Sequence, residues 1–432
     1  MKTLLWTMMG AALVAAGCAA ENEAEIGRDE ASIDGSEASR DDRARHGLDG
    51  KKLFEKETFG GNGRTCATCH NAFSGTISPS QVQALFNNNP NAPLFRPIDS
   101  DDGVGTNYSK LKNDATIRVS IDLPPGWKLV GDPSATQAVF RRGIPTTFNV
   151  PALDPILMVD GRNNGPREQA LGAINAHYQP GRQPSGPELD AIVAHEKTKG
   201  FFSDKKLESF ANGGPAPTLP AGKTAAEKRG RPFFEAAGLC GACHNGAMLN
   251  TTSDAVPPFP AGLRFVSVLV SEFNRIGQPL QKFEVTLPDG SKTEVESSDP
   301  GRALITGDLA DFNAFRIPTL WGVKTTAPYF HDNSAKSLAD VVAHYSDFFV
   351  AAGFLPAPLT QQQRDDIIAY MRLLLGPKRR ARGGAAGLVR PPGSPPTLLS
   401  PAGFAPAPHP RAGFAPRASP RSEAPALAGS RQ

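Results

Sequence analysis

Cys66-Ala67-Thr68-Cys69-His70 and Cys240-Gly241-Ala242-Cys243-His244 are the stretches on which the reading of this chain turns. Cys-x-x-Cys-His is the attachment signature of a c-type haem. Two thiols three positions apart reach the two vinyl groups on one edge of a porphyrin. The histidine that follows is carried beneath the ring, where an imidazole nitrogen binds iron. The chain has five cysteines, so the two motifs use all but Cys18. Two Cys-x-x-Cys pairs could instead complete a zinc site, and either could be a redox dithiol. Neither alternative explains a histidine directly after both pairs. The expectation is two covalently bound haem c groups, one on Cys66, Cys69 and His70, the other on Cys240, Cys243 and His244.

Outward from the motifs, the ends of the 432-residue chain change character. Met1-Lys2-Thr3 precedes an apolar run from Leu4 to Ala16, a secretory signal too short to span a bilayer. Cys18 follows Ala15-Ala16-Gly17, where a lipoprotein signal places its lipidated residue, although Ala15 stands where leucine is usual. The reading is a signal peptide over 1–18 and a periplasmic, membrane-anchored lipoprotein; cleavage after Ala20, with Cys18 removed, is the alternative. Export agrees with haem attachment, which takes place outside the cytoplasm. Residues 19–47 are polar and acidic and read as a flexible tether.

Residues 377–432 are rich in Pro, Ala, Gly and Arg, repeat Ala-Gly-Phe-Ala-Pro at 402–406 and 412–416, and read as a disordered tail. That tail holds nine basic residues and one acidic residue, so the rest of the chain carries about −5 where the whole carries +3. An acidic body of this kind is not expected to bind nucleic acid.

About 330 residues remain, enough for two domains, here 48–218 and 219–376. Gly50-Lys51-Lys52-Leu53-Phe54-Glu55 before the first motif and Gly230-Arg231-Pro232-Phe233-Phe234-Glu235 before the second read as matching helices, the mark of a duplication. Capping-box starts at Ser185, Ser337 and Thr360 open further helices; the last presents Ile367, Ile368, Met371, Leu374 and Leu375. Gln281 to Val295 alternates around Pro288-Asp289-Gly290 and reads as a hairpin. The expected fold is mainly α: two cytochrome c-like haem domains with long loops and a small β-hairpin insertion.

Three further stretches resemble the bacterial di-haem cytochrome c peroxidase and MauG superfamily, over most of residues 48–376. They are Pro145-Thr146-Thr147-Phe148-Asn149, then Asp160-Gly161-Arg162 with Glu168-Gln169-Ala170, and Phe315-Arg316-Ile317-Pro318-Thr319-Leu320 continuing through Thr326-Ala327-Pro328-Tyr329-Phe330-His331-Asp332. The resemblance implies that hydrogen peroxide binds at the haem on His70 and that the haem on His244 transfers and stores charge. It implies a sixth ligand on the second iron; counting from His331, the corresponding residue is Tyr345. Peroxidases of the family carry methionine there and MauG carries tyrosine, which as an anionic ligand lowers the reduction potential. His344 and Met248 remain rival ligands. The resemblance also implies calcium between the haems, with Thr326 and Pro328 matching carbonyl ligands, although Gly143 stands where an asparagine ligand would be.

The catalytic positions depart from the family. Gln169 matches the distal glutamine in type, but the position ten residues on, where a proton-moving glutamate belongs, is Gln179. His177 lies nearby and could take the role, or be a structural histidine. No histidine occurs between His70 and His177, and the loop from about Thr76 to Phe140 is enlarged, so the first haem is expected to be open to peroxide. Val159 replaces a tryptophan between the haems; Trp321 could substitute as a relay or be a packed indole. The implied function is peroxide reduction, with electrons from a small cytochrome c, a cupredoxin or an oxidisable partner protein. A non-enzymatic di-haem electron carrier and an oxygen-activating haem enzyme are the competing readings.

Overall fold

The computed structural model describes residues 47–255 and 260–374. The expectations for the signal, Cys18, the tether, the tail and Leu375 lie outside them. Among the described residues, no helix is long and apolar enough to cross a membrane.

Helix α1, Gly50–Lys56, starts where the Asp49 carboxylate accepts from the backbone N–H groups of Lys51 and Lys52, and it buries Leu53 and Phe54. The first haem motif folds as one tight turn, α2, Cys66–Cys69. Next come α3, Pro79–Asn88, and α4, Ser109–Asp114. Helices α5, Pro166–His177, and α6, Gly186–Glu196, follow; α6 opens on a Ser185–Glu188 capping box, as expected. In the second half, α7 is Ala225–Gly230, α8 is Leu338–Ala351 and α9 is Gln361–Met371. The Ser337–Asp340 and Thr360–Gln363 boxes cap the last two, each such cap contributing about 1 kcal/mol.

The two approach helices differ. Gly230–Glu235 was expected to mirror α1, but α7 ends at Gly230 and a 3-10 turn, Arg231–Phe234, carries the chain onward. Pro232 lacks the N–H that an α-helix needs there, and Gly230 lies so tightly against the Asp366 backbone that it leaves no room for a side chain.

The larger correction concerns residues 76–140, which are not a loop. Strands β1, Thr116–Asp122, and β3, Gln137–Gly143, pair antiparallel, and β2, Trp127–Leu129, lies between them in sequence. A short β4, Phe265–Val266, pairs with β7, Phe315–Arg316. Where a hairpin is expected over Gln281 to Val295, β5, Gln281–Thr286, pairs antiparallel with β6, Lys292–Ser297, and β2 adds as a third strand, with Trp127 opposite Val285. Among the described residues the fold is therefore mixed, helices with seven short strands, rather than mainly α. The signal was present: Ile117, Val119 and Ile121 alternate and are buried, the period-two pattern of a half-covered strand.

Three apolar clusters hold the body. One joins α3, α4 and β1–β3 to Phe283 and Val285 of the hairpin. A second fills the C-terminal half around α8 and α9. A third packs α1, α5 and α6 around Cys66. The halves interlock. Arg142 of β3, fully buried, donates to Asp299 at 2.6 and 2.8 Å and also pairs with Asp160. Asn333 donates to the carbonyls of Asp114 and Ala115 at 2.9 and 3.1 Å.

Candidate haem sites

Both motif histidines are held alike. His70 Nδ1 lies 2.7 Å from the Gly75 carbonyl oxygen, and His244 Nδ1 lies 3.0 Å from that of Leu249. A carbonyl only accepts, so each Nδ1 carries the proton and each Nε2 keeps its lone pair for a metal. Both acceptors lie five residues past the histidine and adopt left-handed backbone, φ 66° at Gly75 and 51° at Leu249. Burial lowers the pKa of both imidazoles, keeping them neutral, as ligation requires.

The alternative chemistries do not fit. Among the described residues no three or more His, Cys, Asp or Glu side chains gather as a metal-holding group, so the two cysteine pairs do not assemble a zinc site. No two of the four motif cysteines are joined as a disulfide. Burial pushes Cys66 and Cys240 up to about 12 and Cys69 and Cys243 up to about 11, whereas a reactive dithiol needs a lowered pKa.

Cys240, Cys243 and His244 open onto a largely apolar cavity that also includes Tyr345 and Met371. Tyr345 is half-buried, and its accessible surface faces this cavity. Burial, then the thiols of Cys243 and Cys240, push its phenol well above the usual range; a cation seated there would act in the opposite direction. His344 is packed away. Its Nε2 donates to the Val268 carbonyl at 2.8 Å, and its ring lies against Phe330 and Phe273. Met248 is buried in the C-terminal core. These residues suit a covalently held haem: thiols on one turn, a neutral imidazole with a free Nε2, and an apolar chamber holding further potential ligands.

At the first motif, Tyr178 donates to Cys66 Sγ at 3.3 Å. The preceding Arg64 is fully buried and ion-paired with Asp99 at 2.6 Å. His177, at the end of α5, has a buried Nδ1 without a partner. Burial lowers its pKa to about 4, against Asp99 and with Arg64, Arg162 and His70. Gln169 lies in the first turn of α5, half-buried; eight residues of helix separate it from His177, about 12 Å along the axis. Gln179 is exposed, and its side-chain oxygen accepts from Asn62 at 3.1 Å. The structure thus brings His177 to the His70 side and leaves Gln179 at the surface.

Thr326 and Pro328 line the cavity of the second motif, as do Val159 and Gly143. The Asn333 side chain fills the space a side chain on Gly143 would need. Trp321 is buried in the C-terminal core, its indole N–H donating to Ala247 at 2.8 Å. Sequence reasoning missed Arg64, Asn333 and Glu196. The Glu196 signal was its place on one helical stripe with Leu189 and Ile192.

Two Cys-x-x-Cys-His turns with matched imidazole anchors define a c-type cytochrome carrying covalently bound haem. In sequence the chain is similar to bacterial cytochrome-c peroxidases. It is 28% identical over 339 residues to the cytochrome-c peroxidase IdrP2 of Denitromonas iodatirespirans, covering 76% of this chain and 80% of that one. It is 28% identical over 194 residues to the cytochrome-c peroxidase IdrP1 of Pseudomonas sp. (strain SCT), where the match spans about half of the relative, 48%, and 43% of this chain. A solved MauG-like protein associated with microbial copper homeostasis is 19% identical, covers 83% of this chain and 96% of its own, and superposes with a TM-score of 0.46. No family model matches the chain.

Proposed function

We propose that the chain is a peroxidase-type di-haem oxidoreductase that reduces hydrogen peroxide to water at the haem on His70, with electrons relayed through the haem on His244. When bound, the haems would supply an iron at which peroxide can react and the electrons that reduce it, which the external donor then replaces. The observation that carries the reading is the asymmetry of the two sites. Tyr345 shares a cavity with Cys240, Cys243 and His244 and can close the second site as a ligand. The first site is approached by His177, whose buried, unpartnered Nδ1 is neutral near pH 7 and can take a proton from a bound peroxide. Gln169, which matches the family's distal glutamine in type, would orient the substrate through its amide. The electron source is a small cytochrome c, a cupredoxin or an oxidisable partner protein, and the mature chain works in the periplasm, anchored through Cys18.

The test is the paramagnetic resonance spectrum of the ferric, haem-loaded protein before and after peroxide. One high-spin haem that reacts, beside one low-spin haem that closes with Tyr345, is the expected pattern. Two low-spin haems, neither accepting cyanide or reacting with peroxide, would assign the chain to electron carriage instead.

A further inference from the structure

Glu196 has no role in the reading above, yet it is among the costliest groups in the body. It is 4% exposed, and its Oε2 makes no hydrogen bond. A lone buried carboxylate is expensive unless the group keeps its proton or answers to a nearby charge. Its position is fixed by helix periodicity. Leu189, Ile192 and Glu196 form one buried stripe of α6, and Leu189 and Ile192 pack in the cluster that includes Cys66 and Tyr178. Glu196 acts electrostatically on both Cys66 and Tyr178.

We propose that Glu196 is the proton-holding group of the first haem site, taking up one proton when that haem accepts one electron and releasing it on reoxidation. The inference rests on haem being bound at Cys66 and His70. The balance is simple: one electron from an external one-electron reductant enters the iron, and one proton from solvent forms the O–H bond of the Glu196 carboxyl. Burial raises the Glu196 pKa to about 8, with Lys197 opposing, so a change of charge beside it moves its occupancy near neutral pH. Other charged groups on the packed elements are engaged elsewhere. Lys51, Lys52, Glu55 and Lys56 of α1 are at the surface. On α5, Arg167 pairs with Asp190 and Glu168 accepts from the Asn164 N–H. His195 packs edge-on against Phe54 and Phe201. His177 answers chiefly to burial, Asp99, Arg64 and Arg162.

The experiment is a spectroelectrochemical titration of the haem-loaded full chain between pH 6 and 9. The midpoint potential of the first haem should fall as pH rises in the wild type, lose that dependence in Glu196→Gln, and keep it in a shifted window in Glu196→Asp. Redox-difference infrared spectra of wild-type protein carrying ¹³C-glutamate provide the measure that needs no variant: a labelled, protonated carboxyl band should appear on reduction of the first haem. An unchanged slope in Glu196→Gln, or no labelled band, overturns the proposal while leaving the haem assignment intact. A chain with no haem on Cys66 and Cys69 overturns both.

Discussion

The Nδ1 of His70 donates to the carbonyl of Gly75 at 2.7 Å, and that carbonyl points back at the ring because Gly75 sits at φ 66°. A side chain on Gly75 would also crowd Thr146 and Thr147. Gly75→Ala should therefore cost about 1–3 kcal/mol and loosen the imidazole. The expected result is a lower melting temperature with both haems still attached, and a shifted iron–imidazole stretching frequency for one of them. An unchanged Raman band would show that the anchor does not tune the ligand.

Tyr345 and His344 are neighbours with separate tasks, one lining the cavity and one bound to Val268. Tyr345→Phe should convert the second haem from low to high spin without much loss of stability. Tyr345→Met should keep it low spin and raise its potential. His344→Ala should leave both spin states alone and destabilise the fold, since it empties a packed site. A spin change in His344→Ala alone would reassign the ligand.

For His177 the sign follows from its lowered pKa. Neutral imidazole accepts the proton, and it stays neutral down to about pH 4. The second-order rate with peroxide should be flat near neutrality and fall as pH drops toward 4. His177→Ala should lose roughly 10²–10⁴-fold and lose the acid limb with it. Stopped-flow traces across pH 4–8 would show both; a variant as fast as wild type would assign the histidine to structure.

Arg142 neutralises Asp160 and Asp299, all fully buried. Arg142→Leu leaves Asp299 without its counter-ion and Asp160 with Arg162 alone, and should cost about 3–5 kcal/mol, read by chemical denaturation. Asp299 belongs to the second half of the chain and Arg142 to the first, so the unfolding transition should remain single rather than split by half.

Glu196 also makes a stability prediction. Its folded pKa, about 8, exceeds the unfolded value of 4.5, so the unfolded chain releases this proton first and stability falls as pH rises from about 4.5 through 8. Glu196→Gln should match wild type near pH 4.5 and gain on the order of a few kcal/mol by pH 8. Melting curves at the two pH values check it.

The haem motifs, the capped helices at Ser185, Ser337 and Thr360, and the 281–297 hairpin were legible because each is encoded locally: ligand spacing, a capping box, an alternation around a turn. The strands at 116–122 and 137–143 are legible in the alternation of Ile117, Val119 and Ile121, a local signal that the resemblance to the family's loop at this place does not carry. Other features could not be read along the chain. Adjacent His344 and Tyr345 differ only in which face of one helix meets the cavity. Asn333 fills the space beside Gly143, a residue 190 positions earlier. The isolation of Glu196 depends on what the other helices fail to offer it. Sequence alone determined the chemistry the chain carries, since covalent attachment needs only a few residues in register. Tertiary structure decided which side chains face each site and which stay unpaired, because burial and hydrogen-bond satisfaction are properties of surroundings assembled from distant parts of the chain.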